Sequence, residues 1–168
     1  MATAAPAGAA ETQPRAFSLE VRRTIRAPRQ RVFDAWTKAD QIRAFHAPGP
    51  MTVSHIDVDL RVGGAFSLHM RRPDGAENRA FGVYTEIDPP KKVAYTWNWE
   101  GMPGLDETLI TVDFLDLGDA TEVVLHHSGL PSEEQCARHT EGWSGILDKL
   151  CEHFGSPASG KTYEGCTA

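Results

Sequence analysis

Two histidines and a tryptophan carry the best case for chemistry in this sequence. His139 and Trp143 stand four residues apart in a segment that reads as a helix, so they lie one above the other on its surface and pair a polar ring with an indole. Gly142 beside them thins the helix, at a cost of ~1 kcal/mol relative to alanine, and lets a sheet or a ligand approach the backbone. His127 sits in a strand in phase with Val123 and Leu125 and faces the same interior if the two elements pack together. The structural alternative is a core tryptophan with a satisfied histidine. Adjacent His126 and His127 point to opposite faces of a strand and cannot chelate one ion. His55, Asp57 and Asp59 do share a face, with donor types that suit a divalent ion. The alternate residues Ile56, Val58 and Leu60 claim the core, so that acidic face is expected in solvent and no metal or other cofactor is predicted. Neither a nucleophile elbow nor a phosphate-binding glycine loop occurs. Cys136 on the helix reads as a small buried hydrophobe.

The helix that positions His139 spans 132–154. Ser132 and Gln135 form a capping box, and Glu133 and Glu134 suit the positive end of the helix dipole. Cys136, Thr140, Trp143, Leu147, Leu150 and Phe154 recur at helical steps, and Gly155 supplies a stop. At 1.5 Å per residue this segment is roughly 33 Å long, enough to cross a small sheet. The rest of the chain supplies that sheet. Phe17, Leu19 and Val21 open a strand with an irregularity expected at Arg22-Arg23 before Ile25. Pro28 opens the first of two short helices, the second ending near Phe45. From Met51 onward about six strands follow with turns between them and no helical crossover, which implies an antiparallel meander. The sum is an α+β fold in which a curved antiparallel sheet of about seven strands wraps a long C-terminal helix. Tyr95, Trp97 and Trp99 alternate on one strand, with Phe66, Leu68, Met70, Phe81 and Val83 available on its neighbours. An apolar cavity between sheet and helix follows from so many rings, of roughly 300 Å³ or more if it is to hold a ligand.

The 168 residues, 40% hydrophobic and 24% charged, fit one domain with its own core. A net charge of −6 with scattered Lys and Arg excludes a general nucleic-acid binder. Three cysteines without zinc-type spacing imply neither a disulfide framework nor a structural metal, and point to a reduced cytosol. Residues 1–16 read as a disordered leader, 17–154 as the single domain and 155–168 as a flexible tail, with no apolar stretch long enough to span a bilayer. A cytoplasmic location is expected, and the oligomeric state is left open.

Ordered fragments along residues 17–154 resemble the START-like, helix-grip (SRPBCC) superfamily, and within it the group named after the activator of the ninety-kilodalton heat-shock-protein ATPase. They are Ala27-Pro28-x4-Val32-Phe33-x-Ala35-Trp36, Asp59-Leu-Arg-Val-Gly63-Gly64-x-Phe66, Gly82-Val-Tyr84-x-Glu86-Ile87-x-Pro89-Pro90-x2-Val93-x-Tyr95-Thr-Trp97, His127-Ser-Gly-Leu-Pro131 and His139-x2-Gly142-Trp143-x3-Leu147. Where such relatives tend to carry a tryptophan-rich stretch, this chain reads Ala44-Phe-His46-Ala-Pro48. The resemblance implies a fold that hosts lipid carriers, hormone receptors, cyclases and chaperone partners, so function must come from the site. The first expectation is a binder of a small apolar or amphipathic molecule, with Phe66, Met70, Phe81, Tyr95, Trp97, Trp143 and Leu147 as apolar contacts and His127 and His139 orienting a polar end. The second is a co-chaperone-like module acting on a heat-shock ATPase. The third is a cyclase or hydrolase, which requires His139 to meet Glu86 or Asp113.

Overall fold

The computed structural model describes residues 16–155 and 164–167. The elements run β1 (Phe17–Ile25), α1 (Arg29–Thr37), α2 (Ala39–Ile42), β2 (Thr52–Val58), β3 (Ala65–Arg71), β4 (Glu77–Asp88), β5 (Lys92–Trp99), β6 (Thr108–Asp116), β7 (Thr121–Leu130), α3 (Glu133–His153) and β8 (Glu164–Thr167). The strands form one sheet in the order β2-β3-β4-β5-β6-β7-β1-β8, and every observed pairing is antiparallel. This is the helix-grip arrangement. The meander from β2 to β7 joins neighbours through turns, and α1 and α2 carry the chain from β1 to the far edge at β2. Among the described residues no helix is long and apolar enough to cross a membrane.

The closing helix begins as its cap signals require: the Ser132 hydroxyl accepts the Gln135 amide at 3.1 Å. Its buried stripe includes Cys136, Trp143, Leu147 and Leu150, packed on the concave face of the sheet. An ion pair fixes its seat. Arg23, fully buried on β1, donates to Asp148 at 3.0 Å and to Ser144 at 2.7 Å, both on α3. Arg23 therefore occupies an ordinary inward position between Val21 and Ile25. The irregularity expected at Arg22-Arg23 is absent, and the register of β1 shifts instead between Phe17 and Ser18. A buried cation with a carboxylate partner can replace the apolar residue that the alternation would place there.

The C-terminal end departs from its expected loop. Residues Glu164–Thr167 pair with β1 as an eighth strand, and Cys166 is joined to Cys136 by a disulfide. The odd number of cysteines hid this pairing, which sets β8 against the start of α3. Cys151 is free and buried, its thiol pushed up to about 11, chiefly by desolvation. Apart from Ala16, the expected leader lies outside the described residues.

Candidate functional site

The interior between sheet and helix is filled by rings. Phe66 meets Tyr95 edge-on with ring centres 5.2 Å apart, and Trp97 lies 5.1 Å from Trp143 and 5.4 Å from Trp99. Only a void of about 20 Å³ remains among these rings, bordered by Phe66, Tyr84, Tyr95, Trp97 and His46. The expected interior cavity of roughly 300 Å³ is thus not found at that size: aromatic side chains on both sides interdigitate to fill it. Open space lies to one side, in a cleft of about 230 Å³ between α3, the ends of β3 to β5 and the loops after α2 and β5.

Met51, Met70, Met102, Trp97, Trp99 and Trp143 form the apolar wall of this cleft. Gln135, Arg138, His139 and Gly142 bring a second helical stripe to it, next to the core stripe, and Asn78 faces them from β4. A Cβ added to Gly142 would meet no atom within 4 Å. This glycine is therefore not a packing requirement between helix and sheet. It widens the cleft.

The two histidines converge, with ring centres 5.1 Å apart at right angles. Their nitrogens are already engaged. Trp143 Nε1–H donates to His127 Nδ1 at 3.0 Å, which puts the remaining proton on Nε2, 2.7 Å from Thr108 Oγ1. The threonine hydroxyl in turn donates to the Trp97 carbonyl at 3.0 Å. Likewise Trp99 Nε1–H donates to His139 Nε2 at 3.0 Å, so His139 Nδ1–H is the donor to the Gln135 carbonyl at 2.7 Å. Because an indole can only donate, both tautomers follow from the contacts. Desolvation lowers the pKa of His127, with His139 adding a repulsive contribution, and desolvation likewise lowers that of His139. Each histidine is a neutral brace that sets an indole at the cleft.

Of the residues expected to contact a ligand, Met70, Trp97, His139 and Trp143 line the cleft. Phe66 and Tyr95 border the interior void, with Tyr95 accepting a hydrogen bond from Trp36 Nε1 at 3.1 Å. His127 is fully buried behind Trp143, and Leu147 belongs to the core. Phe81 lies on the other face of the sheet under the Arg79 guanidinium, 4.9 Å from its ring centre, because β4 turns Ala80, Gly82 and Tyr84 inward. Glu86 pairs with Lys92 at 3.1 Å on the surface, and neither Glu86 nor Asp113 lines the cleft, so the acid–base grouping with His139 is not assembled. His55 bonds Asp57 at 2.6 Å in solvent, and no group of three or more His, Cys, Asp or Glu gathers as a metal site among the described residues.

Sequence reasoning placed Trp99 in the aromatic alternation and Gly142 at a point of ligand approach, but did not count Trp99 among the ligand contacts and missed Gln135, Arg138 and Ile146, whose three- and four-residue steps with Gly142 were there to be read. Met102 and Leu105 in the β5–β6 loop carry no periodic signal.

A curved sheet gripping one long helix, with a cleft at their junction, defines a protein of the helix-grip class. A family model described as activator of Hsp90 ATPase homolog 1-like protein matches residues 26–155, and the chain belongs to that family. Among curated proteins it is similar to activator of 90 kDa heat shock protein ATPase homolog 1 of Mus musculus, 26% identical over 115 residues, and to that of Homo sapiens, 25% identical over 115 residues. The match takes in 68% of this chain but only 30% of either relative. Among solved structures, protein CV1439 from Chromobacterium violaceum superposes with a TM-score of 0.76 at 22% identity, covering 82% of this chain and 96% of that one. PFC0360w from Plasmodium falciparum, described as an HSP90 activator, gives 0.66 at 27% identity, covering 84% and 98%.

Proposed function

We propose that the protein binds a compact apolar or amphipathic molecule in the cleft beside α3. The observation that carries this reading is Gly142, a mid-helix glycine whose missing side chain opens cleft space and relieves no clash. A residue that costs a helix ~1 kcal/mol without a packing role is accounted for by what the space admits. The methionine-rich wall adapts to varied shapes, while the indoles offer flat apolar surface. At about 230 Å³ the cleft is smaller than the roughly 300 Å³ expected of an enclosed ligand cavity, which restricts it to a molecule of one or two rings and excludes a long acyl chain.

Titration of tryptophan fluorescence and thermal shift with naphthalene and naphthol test this. Wild type should bind saturably, and Gly142→Leu, which keeps the helix and fills the cleft, should weaken binding by about tenfold or more. Equal binding by both proteins, or none by wild type, would reject the reading.

A second reading, contact with a heat-shock ATPase, is favoured by the likeness to the mouse and human activators and to the Plasmodium protein described as an HSP90 activator. Stimulation of the host chaperone's ATPase by the purified chain supports it, and lack of any effect at high micromolar concentration excludes it.

A further inference from the structure

Two rings that border the void behind the cleft each carry a buried polar atom without a side-chain or backbone hydrogen-bond partner, His46 Nδ1 and Trp97 Nε1, and these are the only such side-chain atoms among the described residues. Buried donors and acceptors are almost always paired, and each orphan costs ~1–3 kcal/mol. The two rings border the same small void with their centres 6.2 Å apart, which points to a shared partner for the two orphans. At about 20 Å³ the void accommodates one oxygen atom with its hydrogens and little more. Tyr95, also on its wall, accepts from Trp36 and keeps its own hydroxyl proton to give.

We propose that this void binds a single neutral oxygen between Trp97 Nε1 and His46 Nδ1, that of a water molecule or of the hydroxyl end of a molecule seated in the cleft. Trp97 Nε1–H donates to it, and His46 takes or gives the second hydrogen bond according to its tautomer. No Asp, Glu, Lys or Arg lines the void, so a carboxylate or ammonium there would lack a countercharge. Burial holds His46 down to about 4, partly offset by its own backbone, so it supplies no positive charge near neutral pH. Trp97 lines both the void and the cleft, which places the orphan indole at their common border. The ligand source rests on the cleft reading above; the water source does not.

A high-resolution crystal structure of the full chain, alone and with naphthol, tests the proposal, together with the Trp97 indole N–H resonance of wild type and His46→Phe. One ordered oxygen within hydrogen-bond reach of both nitrogens is expected, with the indole resonance shifting on loss of His46. Naphthol should bind about tenfold or more tightly than naphthoate if its hydroxyl reaches the void. Replacement of the water by that hydroxyl assigns the ligand source, and a water that stays in place assigns the water. Absence of an oxygen in both crystals overturns the proposal, as does naphthoate bound with its carboxylate there. Should His46→Phe fail to fold, magnetisation transfer from water to the wild-type Trp97 indole decides the water arm. If nothing binds the cleft, the proposed function fails while the oxygen is still seen.

Discussion

Gly82 sets the shape of the inner face by lacking a side chain. A Cβ there would lie 2.8 Å from Cε1 of Phe66 and would collide with the Thr96 carbonyl oxygen. Gly82→Ala should therefore lower the unfolding free energy by about 1–3 kcal/mol or more, read from urea denaturation. Gly142→Ala should have the opposite sign, raising stability by up to about 1 kcal/mol in the same assay, because its Cβ meets open space and alanine suits a helix. These two glycines also show where sequence patterning misleads. Phe81 and Val83 look like core positions, yet the strand turns Ala80, Gly82 and Tyr84 inward, and at Gly82 the missing side chain leaves room for the Phe66 ring. The room at Gly82 is limited by Phe66 and Thr96 on the neighbouring strands, and those neighbours are invisible along a single strand.

At the scale of elements, α3 was the most legible part of the chain. Its capping box and stripe predicted 132–154, and the helix runs Glu133–His153 behind the Ser132 cap. The strand β8 was not legible, since Glu164-Gly-Cys-Thr carries no alternation and its position depends on a cysteine 30 residues away. That link joins the helix to the strand covering the edge of β1. Cys166→Ser, or treatment with dithiothreitol, should lower stability by up to about 3–4 kcal/mol. Hydrogen exchange should also quicken on the side of β1 that faces β8. Unchanged exchange there would mean that β8 holds its place without the disulfide.

Across the whole molecule, two buried histidines and one half-buried one, far apart in sequence, share one response to acid. His46 follows α2, His127 lies on β7 and His139 on α3, and burial lowers the pKa of each. The unfolded chain therefore binds more protons than the folded one as pH falls below about 6.5, so stability decreases in that direction. For His46 the loss develops between about 6.5 and about 4 and amounts to about 3 kcal/mol. Urea midpoints followed across that range should fall steeply for wild type and less so for His46→Phe; parallel slopes would show that His46 plays no part. The buried Arg23 contact with α3 has a further bearing on how the molecule can move. Sliding or turning the helix would strip Arg23 from Asp148 and Ser144 inside the protein, at a desolvation cost of several kcal/mol. The helical side of the cleft is thereby anchored, whereas the wall opposite, the β5–β6 loop with Met102 and Leu105, is largely exposed and carries no such buried ion pair among the described residues.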